Sequence, residues 1–261
     1  MTGKEPVEQI AENNPWYTVD HVSSSRQRRQ RLVIADRIRF ITSTLEEWRE
    51  NNRRQQGEKR KLKLLDAGCG DGVLLEPLTH LEGFEIYGVD YSPVRVKRAR
   101  ENAPQAVVQQ ADLTSPESLA RLGFTDEFFD AIVMSQVLEH IAQDTSVLRH
   151  IATLLSTNGI FILGVPNEGC LLGRIRNKVL QPNIARTTDH VNFYTEKDMI
   201  QKLVQAGFVV DKVERTGFLF PHEAINVLLA SWSGGYRITG LLGRTIKSQV
   251  ASYHSVCRRK K

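Results

Sequence analysis

Apolar residues recur in two rhythms along this chain, and the change between them predicts its architecture. Ile34, Ile38, Ile41, Leu45 and Trp48 repeat at intervals of three and four, the spacing of a one-faced amphipathic helix. Ser23–Ser25 offers caps for its start, and the polar, basic stretch from Asn51 to Lys61 reads as the linker that ends it. Beyond that point short apolar runs take over. Leu62, Leu64 and Leu65 stop at Asp66, Phe84–Val89 stops at Asp90, and Ala106–Gln110 leads to Asp112. Phe128–Met134 leads to Ser135, and Ile160–Val165 closes at Pro166-Asn167. Helical stretches separate them: one resuming at Val73, one opened by Ser92-Pro93, a short one near Ser115–Leu122, and Asp144–Leu155, ended by Asn158-Gly159. Thr195 caps a further helix carrying Ile200, Leu203 and Val204, and Gly207 ends it. Phe208–Val213 and Val250–Val256 read as the last two strands, after insertions at about 168–191 and 218–247. The pattern predicts an open α/β sheet with helices on both faces.

The stretch Lys61 to Leu75, KLKLLDAGCGDGVLL, is the corner where the first strand turns into a helix. Gly68, Gly70 and Gly72 permit positive φ and let backbone approach a ligand closely. The helix end beyond offers free N–H groups that suit an anion. A dinucleotide fingerprint needs Gly or Ala three residues after its second glycine, and Val73 stands there instead. Asp90 projects from a strand's carboxyl end, where open sheets bind ligands. A carboxylate there can take both hydroxyl hydrogens of a ribose, which fits an adenosine-type ligand without choosing the cofactor.

The pattern Asp66-x-Gly68-x-Gly70-x-Gly72 resembles motif I of the class I S-adenosylmethionine-dependent methyltransferases. Ser135-Gln136-Val137-Leu138-Glu139-His140 resembles the motif after the fourth strand in the subfamily of ubiquinone-biosynthesis O-methyltransferases and natural-product methyltransferases. The resemblance covers roughly 61–217 well and the insertions hardly at all. It implies a Rossmann-like seven-stranded sheet, mostly parallel with an antiparallel last strand, in a domain over 61–261 preceded by an N-terminal helical extension over 1–60. It implies S-adenosylmethionine as cofactor. Asp66, Gly68 and Gly70 would hold its methionine end, Asp90 the ribose, Asp112 and Leu113 the adenine, Tyr91 would flank the base or the ribose, and Ser135 and Gln136 would lie near the methyl donor. Asp112 could instead cap the helix that follows. Tyr17 and His21 could form a lid over the ligand or merely anchor the first helix. The Asn/Asp-Pro-Pro-aromatic motif of base methyltransferases is missing, which disfavours a nucleobase acceptor.

Methyl transfer from a sulfonium chiefly needs alignment and desolvation. A hydroxyl acceptor also profits from a base, and Glu139, His140, His190 and His21 are the candidates. His140 lies just past a sheet-end motif, and His190 lies between the fifth strand and the next helix. Each could equally be a hydrogen-bonded loop residue. Glu139, His140 and Asp189 could also ligate a divalent ion, although their spacing does not require one and no metal is expected.

Composition narrows the class further. The chain has 261 residues, 41% apolar and 25% charged, as globular domains do. No apolar run is long enough to span a bilayer, and MTGKEPVEQIAENNP lacks a signal-peptide core, so a cytoplasmic enzyme is expected. Cys69, Cys170 and Cys257 show no metal-ligand spacing and read as reduced thiols. The formal charge of +5 gathers at Arg26–Arg31, Arg53–Lys63 and Arg258–Lys261, clusters that are usually solvated faces. Nucleic acid is therefore not the expected partner. The insertions are apolar with scattered arginines, which fits an acceptor pocket, peripheral membrane contact, or a helical cap or homodimer contact. The expected activity is methylation of a small molecule at oxygen, with nitrogen or carbon as alternatives. A NAD-linked oxidoreductase and a non-catalytic nucleotide- or RNA-binding module are the rivals.

Overall fold

The computed structural model describes residues 28–56, 60–183, 189–230 and 232–260. Seven strands, β1 Leu62–Ala67, β2 Phe84–Asp90, β3 Val107–Gln110, β4 Phe129–Ser135, β5 Leu155–Pro166, β6 Phe208–Thr216 and β7 Ser252–Arg259, form one sheet. Their order is β3-β2-β1-β4-β5-β7-β6. The first five run parallel, and β7 runs antiparallel between β5 and β6. This is the mixed sheet that the resemblance implies.

The central strands read as continuous apolar runs because both faces are covered. On one face the long helix α1, Arg28–Gln56, packs Ile41 and Leu45 against Leu62 and Leu64 of β1 and Ile160 and Ile162 of β5. The short α2, Leu75–Leu78, and α3, Pro93–Asn102, join that layer. On the other face lie α4, Pro116–Ala120, α5, Asp144–Leu154, and α7, Glu196–Gln205. Between β5 and α7 the chain forms α6, Leu171–Ile175, which runs into a wider turn over Arg176–Leu180. Two helices, α8 Glu223–Ala230 and α9 Ser233–Thr245, fill the later insertion.

Local chemistry accounts for the helix starts. Ser92 accepts the Arg95 N–H with Pro93 at the first helical position, and Ser115 does the same for Ser118 ahead of Pro116. Thr195 and Asp198 form a reciprocal capping box on α7.

Three expectations need correction. Helix α1 continues to Gln56, so the stretch from Asn51 is not linker at its start. Its Glu50 bonds Arg53 and Arg54 one turn on, which carries the helix through polar sequence. Helix α5 does not run to Asn158-Gly159. Leu155 is already extended and pairs with Phe129, and a register shift before Ile160 accommodates the polar residues between. Val204 is exposed, because the buried face of α7 is set by Met199 and Leu203.

Candidate active site

The strand order reverses between β1 and β4, which opens a crevice at their carboxyl ends. The glycine turn borders it on one side. Gly68 has φ +83°, and a Cβ there would lie 2.5 Å from Cγ2 of Val137, which follows β4. Any side chain would therefore wedge the two sheet ends apart. The Gly68 and Cys69 N–H groups both donate to the Val89 carbonyl, fixing the turn against β2. Cys69 is buried, and burial pushes its thiol far above the ordinary range, so it fills the loop and is no nucleophile.

The acidic strand ends are placed differently from one another. Asp66 is 2% exposed and its Oδ2 has no hydrogen-bond partner. Burial, then the charge of Asp90, pushes its pKa to about 7. Asp90 accepts from the Gly70 N–H at 2.9 Å and from the Ser92 N–H at 3.0 Å, one bond on each carboxylate oxygen. Each oxygen keeps lone-pair capacity for a ligand hydroxyl. Tyr91 is exposed beside it. Asp112 is partly exposed at the end of β3, its Oδ1 bonded to the Thr114 N–H and hydroxyl, while Leu113 is buried. Ser115, not Asp112, caps the next helix, which removes the alternative reading of that carboxylate. Ser135 and Gln136 end β4 at the crevice; the Ser135 Oγ is buried without a partner, and Gln136 has φ +60°. Tyr17 and His21 lie outside the described residues.

Across the crevice the candidate bases come together. His140 and His190 pack edge to face, with ring centroids 4.8 Å apart. Glu139, His140 and His190 present donor atoms within 4.8 Å of one another, a set that can relay a proton or hold a divalent ion. Asp189 adjoins them in a left-handed conformation, φ +53°, but is not part of this set. Hydrogen bonds tie the His190 loop to the motif after β4. The Val191 and Asn192 N–H groups donate to the Glu139 carbonyl, and the Asn192 side chain donates to the Ile141 carbonyl at 2.7 Å. The Tyr194 hydroxyl donates to Asp144, which also pairs with Lys202.

Their electrostatics diverge. Glu139 is fully buried with both carboxylate oxygens unpartnered, and burial raises its pKa to about 7. Burial, then the neighbouring His190, lowers His140 to about 4, leaving it neutral. Burial pulls His190 down too, but Glu168 outweighs it: Oε2 sits 2.5 Å from Nδ1, and the His190 pKa lies above its ordinary value. Burial raises Glu168, yet the His190 hydrogen bond and the charges of His190 and Arg176 carry it below the carboxylate range. With Nδ1 engaged, Nε2 is the nitrogen available to the cluster.

Sequence reasoning missed three contributors. Glu168 and Arg176 are both buried and ion-paired, and only their isolation in an apolar insertion hinted at it. Arg37 comes from α1. Its Nε is buried and unpartnered, and burial holds its pKa down against the opposing charges of Glu139 and Asp66. It lies three residues after Ile34 and four before Ile41, a cation inside the apolar stripe. That position was the available signal.

Comparison with known proteins identifies the family and the fold. A methyltransferase-domain family model matches residues 26–213. The chain is 34% identical over 164 residues to a ubiquinone biosynthesis O-methyltransferase of Ruegeria pomeroyi, covering 61% of this chain and 64% of that protein. The match thus spans a little under two thirds of that relative. A protein of the same name from Cereibacter sphaeroides is 31% identical over 179 residues, covering 66% of this chain and 67% of that protein. Among solved structures, a Pyrococcus horikoshii protein superimposes with a TM-score of 0.59 at 19% identity, covering 98% of this chain and 100% of that one. A Thermotoga maritima S-adenosylmethionine-dependent methyltransferase does so with a TM-score of 0.56 at 17% identity, covering 89% and 97%. At those identities the superpositions speak for the fold.

The His190–Glu168 pair makes a pH prediction. The raised His190 contributes fully below its unfolded pKa, and that contribution is lost as pH rises through its folded value. The lowered Glu168 contributes above its unfolded pKa, and that contribution is lost as pH falls through its folded value. Glu168→Gln should therefore lower Tm most near pH 5–6, with a shrinking deficit above that. Thermal scans across pH check this, and a flat deficit from pH 5 to 9 would contradict the pairing.

Proposed function

We propose that this chain, which belongs to the class I S-adenosylmethionine-dependent methyltransferases, methylates a hydroxyl oxygen of a small, apolar acceptor. The observation that carries this reading is the meeting, at one strand-order reversal, of an adenosine-type edge and a buried acid–base cluster. The described residues fit the cofactor. The cradle at Gly68 admits no Cβ, the orphaned Asp66 Oδ2 suits an ammonium, and the Arg37 guanidinium suits a carboxylate. Asp90 is offered to the ribose and Asp112 to the adenine edge. The relatives' name, ubiquinone biosynthesis O-methyltransferase, supports oxygen as the methylated atom and a quinone-related acceptor.

When bound, the cofactor supplies a methyl group already activated by its sulfonium. The protein's task is to align the acceptor, exclude water and receive one proton. His190 Nε2 takes that proton from the acceptor hydroxyl, while Glu168 on Nδ1 fixes the tautomer and stabilises the imidazolium. Arg176 holds Glu168 ionised. His140, neutral, packs against His190 and limits its movement. A rival NAD-linked chemistry is opposed by Val73 in the glycine turn and by the third acidic strand end at Asp112.

The later insertion supports a site of delivery for an apolar acceptor. Helix α8 is inverted: Asn226 is buried, bonded to Phe220 and His222, while Ala224, Ile225, Val227 and Leu228 face outward. On α9 the outward positions are Arg237, Ile238, Leu241 and Arg244. Exposed apolar residues beside cations suit an anionic bilayer surface. No helix among the described residues is long and apolar enough to cross one.

Three measurements test these readings. Calorimetry should give micromolar binding of S-adenosylhomocysteine and none of NAD, with binding lost in Asp90→Ala; the reverse preference would refute the cofactor assignment. His190→Ala should cut turnover at least tenfold with S-adenosylhomocysteine affinity nearly unchanged, and wild-type turnover would remove His190 from the mechanism. The protein should co-sediment with phosphatidylglycerol vesicles and not with phosphatidylcholine alone, an effect weakened by Arg237→Glu/Arg244→Glu. Equal recovery in the supernatant of both would dispose of membrane contact.

A further inference from the structure

A row of residues crosses the sheet beside the crevice. Ser135 of β4 pairs with Gly164 of β5, and Gly164 pairs with His254 of β7. His254 faces α1, where the Phe40 ring lies 5.5 Å from its own. The imidazole is 1% exposed, and neither ring nitrogen has a hydrogen-bond partner. The Ser135 Oγ, both carboxylate oxygens of Glu139 and the Nε of Arg37 are buried and unpartnered as well. Folded interiors pair nearly all buried polar atoms. Orphans contributed by α1, β4, the turn after β4 and β7 point to hydrogen bonds that a ligand completes.

Gly164 sets how closely two of them approach the sheet backbone. A Cβ there would lie 2.9 Å from His254 Cδ2, 3.1 Å from its Nε2 and 3.2 Å from the Ser135 Oγ. Glycine therefore lets the imidazole and the hydroxyl both lie against bare backbone, where even a methyl group would crowd them. Burial, then the charge of Arg37, lowers the His254 pKa to about 3, so the ring stays neutral at working pH. A neutral imidazole donates from one nitrogen and accepts at the other. It is too weak a base to take the acceptor's proton.

We propose that His254 and Ser135 form the subsite for the oxygen-bearing head group of the acceptor, with His254 deciding which hydroxyl is presented for methylation. The proposal rests on the O-methylation reading and extends it to a residue distant in sequence from every motif of the cofactor side. The competing role is packing alone, the imidazole filling the space between Phe40 and Gly164. His254→Phe separates the two, because it keeps an aromatic ring and removes both nitrogens.

The test uses 4-octylcatechol, which has two inequivalent hydroxyls, with the full chain. In His254→Phe, Tm should hold or rise, since unpaired polar atoms leave the interior. S-adenosylhomocysteine affinity should be unchanged, the acceptor KM should rise at least tenfold with a smaller change in kcat, and the ratio of the two monomethyl ethers should shift. His254→Asn, which restores a donor and an acceptor, should recover part of the KM. Wild-type KM and product ratio in His254→Phe, whatever its Tm, would overturn the subsite while leaving the O-methylation reading standing. No methylation of the catechol by the wild-type chain would overturn that reading, and this subsite with it.

Discussion

The reversal of strand order between β1 and β4 is the constraint on which the rest of this molecule depends. Connections after β1 run over the face that α1 covers, and the helix after β4 runs over the other. Neither layer closes the carboxyl ends of those two strands, so the chain leaves a crevice there for steric reasons alone. The glycine turn after β1 and the motif after β4 border it. Gly68 lets the β1 turn lie against Val137 after β4, and a bulkier residue would prise open the contact that sets the crevice width.

Charge is unevenly settled around that crevice. Glu168 is buried yet ionised, because Arg176 and His190 both bond it. Asp66 and Glu139 are buried without hydrogen bonds to the named oxygens, and their pKa values climb to about 7 as a result. Such groups weaken the folded state unless something satisfies them, and a fold keeps them where binding or proton transfer requires them. The paired cluster sits on the insertion side and fixes the His190 ring through Glu168. The unpaired atoms belong to the ends of β1 and β4.

The sequence by itself determined what depends on near neighbours along the chain. Strand ends at Asp66, Asp90, Asp112 and Ser135, caps at Ser92 and Thr195, and the glycine turn follow from local sterics and hydrogen bonds that need only a few residues. The resemblance carried by two motifs supplied the family and a mostly parallel seven-stranded sheet with an antiparallel last strand. Even locally there were misreadings: Val204 followed the apolar rhythm of α7 but lies on its outer side, and the end of α5 came earlier because pairing of Leu155 with Phe129 overrode the turn signal at Asn158-Gly159. Only the tertiary structure decided the rest. Arg37 meets Asp66 and Glu139 because α1 lies across the sheet. Glu168, Arg176 and His190 converge through the fold of an insertion without sequence rhythm. His254 reaches Gly164 and Phe40 because an antiparallel strand returns the chain to the crevice after some ninety residues. Contacts between elements so far apart leave no periodic trace, since their partners are chosen by packing and not by spacing.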